Sequence, residues 1–328
     1  MKRRDFIALL ASAGMLRSWV AVAAAAQGTG PARIGFISGV DQAAAADFLA
    51  ALRDGLTAHG YVEPRTLTID LLFADYSPER IPALLEELER RGVAVIVTHA
   101  AATASVVKGH RTTPAVYEFS ADPVTLGIAT DLAHPLYNAT GISLMLAQLN
   151  SKRLELLRDI APDLQRIAVI AHPLHPGQQL EKADTEAKAR QLGIEISFFP
   201  TPSRGELDRA LDAIDADPPQ ALVLFADAFV IENRHTIVNF AMSRRMPVIS
   251  GWAVMAESGA LCTYGPRLFE SYRRVAYFVD RILKGAKPAD LPIEQPTVLE
   301  LVINLNSAKT LGITIPPTVL VRADRVIE

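Results

Sequence analysis

The chain has 328 residues, half of them hydrophobic and 21% charged, with a net charge of −3 and a single cysteine. That length suffices for two domains of ordinary size, and the composition is globular without a disordered bias. The lone Cys262 excludes an intrachain disulfide and argues against a thiolate-rich metal site. The acidic balance gives no electrostatic reason to bind nucleic acid or anionic lipid.

The first element is an export signal. Met1-Lys-Arg-Arg-Asp-Phe-Ile places a cationic stretch with a twin arginine, Arg3 and Arg4, ahead of an apolar run over residues 6–16. Small residues follow up to Ala26, where an Ala-x-Ala cleavage site falls. The arginine pair points to Tat export; an ordinary Sec signal that carries two arginines is the alternative. Arg17 interrupts a run already too short to span a bilayer, and no Cys stands near the cleavage point for a lipid anchor. Lys2, Arg3, Arg4 and Arg17 against Asp5 make this segment net +3, which leaves −6 for the rest. The mature chain is expected to be a soluble, monomeric protein of the periplasm.

The body begins with a short apolar strand over residues 33–38, closed by Ser38-Gly39. Residues 43–59 carry Phe48, Leu49, Leu52 and Leu56 at helical spacing, and Gly60 is a natural stop. Residues 67–73 alternate as a strand, and 78–91 read as an amphipathic helix stopped by Gly92. A strand over 93–98, a short Ala-rich helix and a strand over 115–119 follow. This β-α-β-α-β-α-β order predicts a parallel sheet with helices on both faces.

The order then recurs. Arg166 lies 133 residues after Arg33, Gly193 lies 133 after Gly60, and Pro247 lies 133 after Pro114. The buried strand at 221–225 matches that at 93–97 with an offset of 128, a deviation that falls where loop length varies. Two lobes of the same α/β topology are therefore expected, each Rossmann-like and doubly wound. The stretch Gly141-Ile-Ser-Leu-Met and a helix at 151–160 lie between them. A helix at 268–283, a strand at 298–303 and a helix at 307–311 come after. We place lobe 1 at 32–145 plus about 258–292, and lobe 2 at 146–257 plus about 293–328.

In open α/β sheets ligands sit beyond the carboxyl ends of strands. In the first lobe those positions are Ser38, Gly39, Thr98, Ala101, Ala102, Thr103, Ser120 and Asp122. In the second they are His172, Asp227, Trp252 and Tyr264. Asp122 and Asp227 can accept from an ammonium group, and N–H groups near 101–103 can meet a carboxylate. Asp122-Pro123 reads equally as a helix cap followed by proline. His172 and His175, with His99, offer imidazoles to a metal, but this spacing suits two loop residues as well. No nucleophile elbow, zincin pair or Walker A loop is present, so neither catalysis nor a cofactor is expected.

Several stretches carry a family resemblance: Arg33-Ile-Gly-Phe, Gly60-Tyr-Val-Glu, Val95-Ile-Val-Thr, Asp122-Pro-Val, Asn138-Ala-Thr-Gly-Ile-Ser and Lys152-Arg-Leu-Glu-Leu-Leu. The C-terminal third adds Tyr264-Gly-Pro, Ile282-Leu-Lys-Gly-Ala-Lys-Pro-Ala-Asp-Leu-Pro, Glu294-Gln-Pro-Thr, Glu300-Leu-Val-Ile-Asn-Leu and Leu311-Gly-Ile-Thr-Ile-Pro-Pro. Together they make the chain resemble the ABC transporter substrate-binding proteins that include tryptophan- and tyrosine-binding members. The resemblance implies a type I periplasmic binding protein fold, two lobes joined by three crossovers. It also implies capture of a small organic solute by hinge closure and delivery to a membrane permease with its ATPase. The alternatives are an exported sensing subunit for a signalling partner and, behind it, an enzyme working between the lobes.

The pocket positions depart from the family. A Gly-Thr-Pro-Ala stretch is here Ala100-Ala-Ala-Thr103, and a Pro-Gly-Gly-Asn turn is Pro135-Leu-Tyr-Asn138. A Trp-Asn-Pro segment is Ala171-His172-Pro173, and a Pro-Asp-Pro segment is Ala226-Asp227-Ala228. The resemblance thus implies a retained frame around an altered pocket, with an amino acid-like or an aromatic or apolar acid as ligand.

Overall fold

The computed structural model describes residues 30–109, 112–144, 147–175 and 177–328. The expected export signal, with Arg3, Arg4 and the cleavage site after Ala26, lies outside the described residues. None of the described helices is long and apolar enough to cross a membrane.

Five strands form the first sheet: β1 (Ala32–Ser38), β2 (Leu67–Phe73), β3 (Val95–His99), β4 (Ala115–Phe119) and β5 (Ala139–Ser143). They lie in the order β2-β1-β3-β4-β5, every pair parallel. The second sheet holds β6 (Arg166–Ala171), β7 (Glu195–Pro200), β8 (Ala221–Leu224), β9 (Val248–Ser250), β10 (Cys262–Pro266), β11 (Leu299–Asn304) and β12 (Arg325–Ile327). Its order is β12-β11-β10-β9-β8-β6-β7, parallel throughout except β10 against β11. The central strands β3, β4 and β8 are buried along their whole length, as both-faced parallel sheets require.

Helices cover both faces by the periodicity that predicted them. The Ala46–Ala58 helix turns Phe48, Leu49, Leu52 and Leu56 inward and stops at Gly60, which takes φ +90° while the Tyr61 N–H returns to the Leu56 carbonyl. It packs against the Leu268–Leu283 helix so closely that a Cβ on Gly55 would stand 2.5 Å from the Arg273 carbonyl oxygen. In the second lobe Leu154, Leu156, Leu157 and Ile160 of the Ala147–Ile160 helix bury against Val169 and Val223.

The chain crosses between the lobes three times. It leaves the first after β5, returns between Pro266 and Leu268, and leaves again after Glu294. Glu294 is tied to β5 from both sides, its N–H donating to the Gly141 carbonyl and its carbonyl accepting from Ser143, each at 2.9 Å. The return lies later than the sequence boundary near residue 258. Residues 262–266 pair with β9 and β11 in the second sheet, a strand that Cys-Thr-Tyr-Gly-Pro does not announce by an apolar run. The second-lobe turn helices Ala228–Glu232 and Ala253–Glu257 are only five residues long, too short to carry a helical periodicity.

Candidate functional site

The ends of β1, β3 and β4 face those of β6, β8 and β9 across a closed cleft. On the first wall, the Ser38 hydroxyl accepts from the Val40 N–H and shares a 2.9 Å hydrogen bond with His99 Nδ1. Gly39 follows. A Cβ there would stand 2.9 Å from the backbone nitrogens of both Ala101 and Ala102, so only glycine lets the two segments approach this closely. Ala100 takes φ +55°, a left-handed conformation uncommon for a non-glycine residue, at the point where β3 turns into the Ala102–Gly109 helix. Behind this turn the Thr98 and Thr103 hydroxyls bond to each other at 2.8 Å, both fully buried.

Deeper on the same wall, His99 packs among Phe36, Phe48 and Tyr272, with ring centroids 4.5 to 5.9 Å away. Burial pushes its pKa down to about 4, so the imidazole is neutral. Glu118 is the fourth residue of β4. Burial pushes its carboxyl up to about 8, against the opposing pull of the Tyr272 hydroxyl that donates to it and of His175 across the cleft. Its Oε1 is buried with no hydrogen-bond partner.

On the second wall, His175 places Nε2 2.7 Å from Glu181 and Nδ1 3.4 Å from Asp227. Burial disfavours its charge, but the two carboxylates outweigh burial and push it up to about 10. Asp227 keeps a lowered pKa for the same reason: burial opposes its charge, and His175 more than offsets it. Asp227 also caps the next helix, accepting from the Phe229 N–H at 2.8 Å. The chain of charge continues inward: Glu181 accepts from Asn150 at 3.1 Å, Asn150 accepts from Arg153, and Arg153 Nε donates to the Tyr264 carbonyl at 2.9 Å. His172 lies against Tyr76 and Phe229, and burial lowers its pKa. Buried His172 Nε2 and Trp252 Nε1 have no partner.

These walls enclose two small chambers that meet at Ala100 and Asp227. The inner one, of about 30 Å³, is bordered by Glu118, Ser120, His175, Asp227, Trp252 and Tyr272. The outer one, of about 10 Å³, is bordered by Gly39, Tyr76, Ala101 and His172. Space of this size holds one or two waters, so the lobes must part before an organic solute can enter.

Six of the twelve residues expected from the sequence therefore border the cleft: Gly39, Ala101, Ser120, His172, Asp227 and Trp252. Ser38, Thr98, Ala102 and Thr103 brace the first wall from behind. Asp122 stands apart, accepting from the Val124 N–H at 3.0 Å and from the Thr125 hydroxyl in an exposed turn. Tyr264 packs with the second core and meets the site only through its carbonyl. Glu118, His175, Tyr272 and Phe48 border the inner chamber without having been singled out as ligand residues. Glu118 had a legible signal, a carboxylate inside an otherwise apolar strand, which burial penalises unless it has a task. Among the described residues no group of three or more His, Cys, Asp or Glu is placed to hold a metal ion.

The family model described as "ABC transporter substrate binding protein" matches residues 33–327. A conserved domain protein from Vibrio cholerae O1 biovar El Tor is similar in structure, with a TM-score of 0.81 and 26% identity over 90% of this chain and 99% of that one. An ABC domain from Streptococcus pneumoniae, solved in complex with L-Trp, has a TM-score of 0.80 and 24% identity over 91% of this chain and all of the other. A 5-methylthioribose transporter solute-binding protein from Thermotoga lettingae shares the fold at a TM-score of 0.61 and 16% identity, over 88% of this chain and 95% of that one. No curated protein sequence matches the chain.

Proposed function

The chain belongs to the ABC transporter substrate-binding protein family, and we propose that it captures a small organic solute between its lobes in the periplasm. The closed form is then what a membrane permease and its ATPase receive. One observation carries this reading: buried polar atoms of both lobes, Glu118 Oε1 from one and His172 Nε2 and Trp252 Nε1 from the other, converge on the closed cleft without partners. Native proteins pair such atoms, so a cleft that concentrates them is built for a molecule that supplies the missing partners.

The three crossovers act as the hinge. A solute touching both walls stabilises the closed state by the contacts it cannot make when the lobes are apart. Gly39, Ala101, Ser120, His172, Asp227 and Trp252, with Glu118, are the proposed contacts. Burial of acid and base in one cleft also occurs in enzymes, but His175 and Asp227 are locked to each other and to Glu181 and Phe229, so neither is poised towards a reacting atom. Native mass spectrometry of protein purified from an exporting host tests the reading. We expect a retained small molecule, with a smaller scattering radius for the occupied form. If no solute is retained and no added solute changes melting temperature or radius, solute capture is wrong.

A further inference from the structure

Resting on that reading of the cleft, we propose that the captured solute is an organic amine, held by its protonated nitrogen against Glu118, and that isosteric acids are rejected. Glu118 is only 7% exposed, borders the inner chamber together with Tyr272, and leaves its Oε1 without a hydrogen-bond partner. A buried carboxyl is satisfied best by a charge-assisted donor. No described residue of the chamber supplies one. Among the described residues the chamber contains no Lys or Arg, and its basic side chains are His99 and His175. His99 is committed to the Ser38 hydroxyl and is neutral. His175 has both ring nitrogens on carboxylates, Glu181 and Asp227.

The same inventory disfavours an acid. A ligand carboxylate in this chamber meets the anionic Asp227 and no uncommitted cation. The chamber's first wall is aromatic instead, with Phe48 and Tyr272 centroids 5.0 Å apart beside Glu118, surfaces that favour an ammonium and its apolar stem. Trp252 is 5% exposed, and its unpartnered Nε1 remains free to donate to a hydroxyl or carbonyl elsewhere on the solute.

The chemistry has a proton signature. The groups facing Glu118 are Tyr272 from its own lobe and His175 from the other, with His99 and Asp227 further along the same chamber. With its pKa raised to about 8, Glu118 is mostly protonated at pH 7. A solute that arrives as R–NH3⁺ favours the carboxylate, so the carboxyl O–H breaks and its proton leaves to buffer. Close to one proton per ligand is released at pH 7, and the release fades as the pH rises past 8.

The test is calorimetry on the mature protein in two buffers of different ionisation enthalpy. The probes are phenethylamine, hydrocinnamate and phenylalanine, together with straight-chain primary amines paired with carboxylates of matched length. We expect amines to bind at least about tenfold more tightly than their matched acids, with proton release. Glu118→Gln should abolish that preference and the release while leaving the unliganded protein folded, since it removes a buried ionisable group. If a matched acid or phenylalanine binds more tightly than its amine, or Glu118→Gln keeps the preference for amines, the amine assignment is overturned and solute capture stands. If no member of either series binds and the native mass spectrum shows no retained solute, both fall together.

Discussion

The Tyr76 hydroxyl donates a 2.8 Å hydrogen bond to Glu232 Oε2, joining a loop of the first lobe to the last turn of the Ala228–Glu232 helix in the second. Tyr76 and its neighbour Asp75 both hold left-handed backbone conformations, at φ +61° and +51°. That strain presents the Tyr76 ring to His172 and Phe229, with centroids 5.7 and 5.9 Å away. The contact exists only when the lobes are together, so it is a latch on the closed state.

Tyr76→Phe keeps the ring contacts and removes the hydrogen bond. We expect solute binding to weaken by about 1 kcal/mol, roughly fivefold, mostly through faster release. Stopped-flow dissociation measures it, and Glu232→Gln in the same cycle reports whether the two residues act as a pair. Unchanged dissociation in Tyr76→Phe would remove the latch from the mechanism.

Gly39 offers a different kind of test, because its role is to be absent. Gly39→Ala places a methyl 2.9 Å from two backbone nitrogens that have no flexible end to yield, so the turn at 100–102 must move. The strand and helix on either side are packed independently of it. We therefore expect a folded protein whose solute affinity falls by about tenfold or more. Circular dichroism with isothermal titration separates the two; full affinity in a folded variant contradicts a role for Gly39 in shaping the cleft.

Most of the frame was legible because it is periodic. Phe48, Leu49, Leu52 and Leu56 announce a helix, the Val-Ile-Val run of β3 a buried strand, and the 133-residue recurrence two lobes of like topology. What escaped was short or aperiodic. Strand β10 is five residues with a Gly and a Pro, held by β9 and β11 rather than by its own apolar pattern. In the site, positions at strand ends were legible from topology, whereas their partners were not. Nothing local to His175 says that Glu181 and Asp227 will enclose it, since Asp227 stands at the head of a helix more than fifty residues away. Asp122 carries the same ambiguity at its own position, and its partners, the Val124 N–H and the Thr125 hydroxyl, are those of a turn.

His175 gives the cleft a pH dependence of defined sign. Its folded pKa, about 10, lies above the ordinary histidine value of 6.5. The stability it contributes is therefore fully present below pH 6.5 and is lost as the pH rises towards 10. We expect urea unfolding of the wild type to weaken along that alkaline limb. His175→Gln should flatten the limb and cost about 3 kcal/mol at pH 6.5, the penalty for leaving Asp227 and Glu181 buried without their cation. A variant with the same alkaline slope as wild type would show that another group is responsible.

Trp252 makes occupancy of the cleft directly observable. The chain has two tryptophans, Trp19 and Trp252. Trp19 lies in the expected export signal, so in the mature protein Trp252 is the sole indole emitter. It is 5% exposed, caps the Ala253–Glu257 helix, and borders both the inner chamber and an outer groove of about 340 Å³ lined by Arg267, Arg273 and Glu300. When the lobes part, one face of the indole meets water and its emission shifts to the red; closure over a solute reverses the shift. Trp252→Phe should erase the signal and weaken binding by about 1 to 2 kcal/mol, through the lost N–H donor and the smaller ring. A solute that stabilises the protein against heat while leaving Trp252 emission unchanged would be bound somewhere other than this cleft.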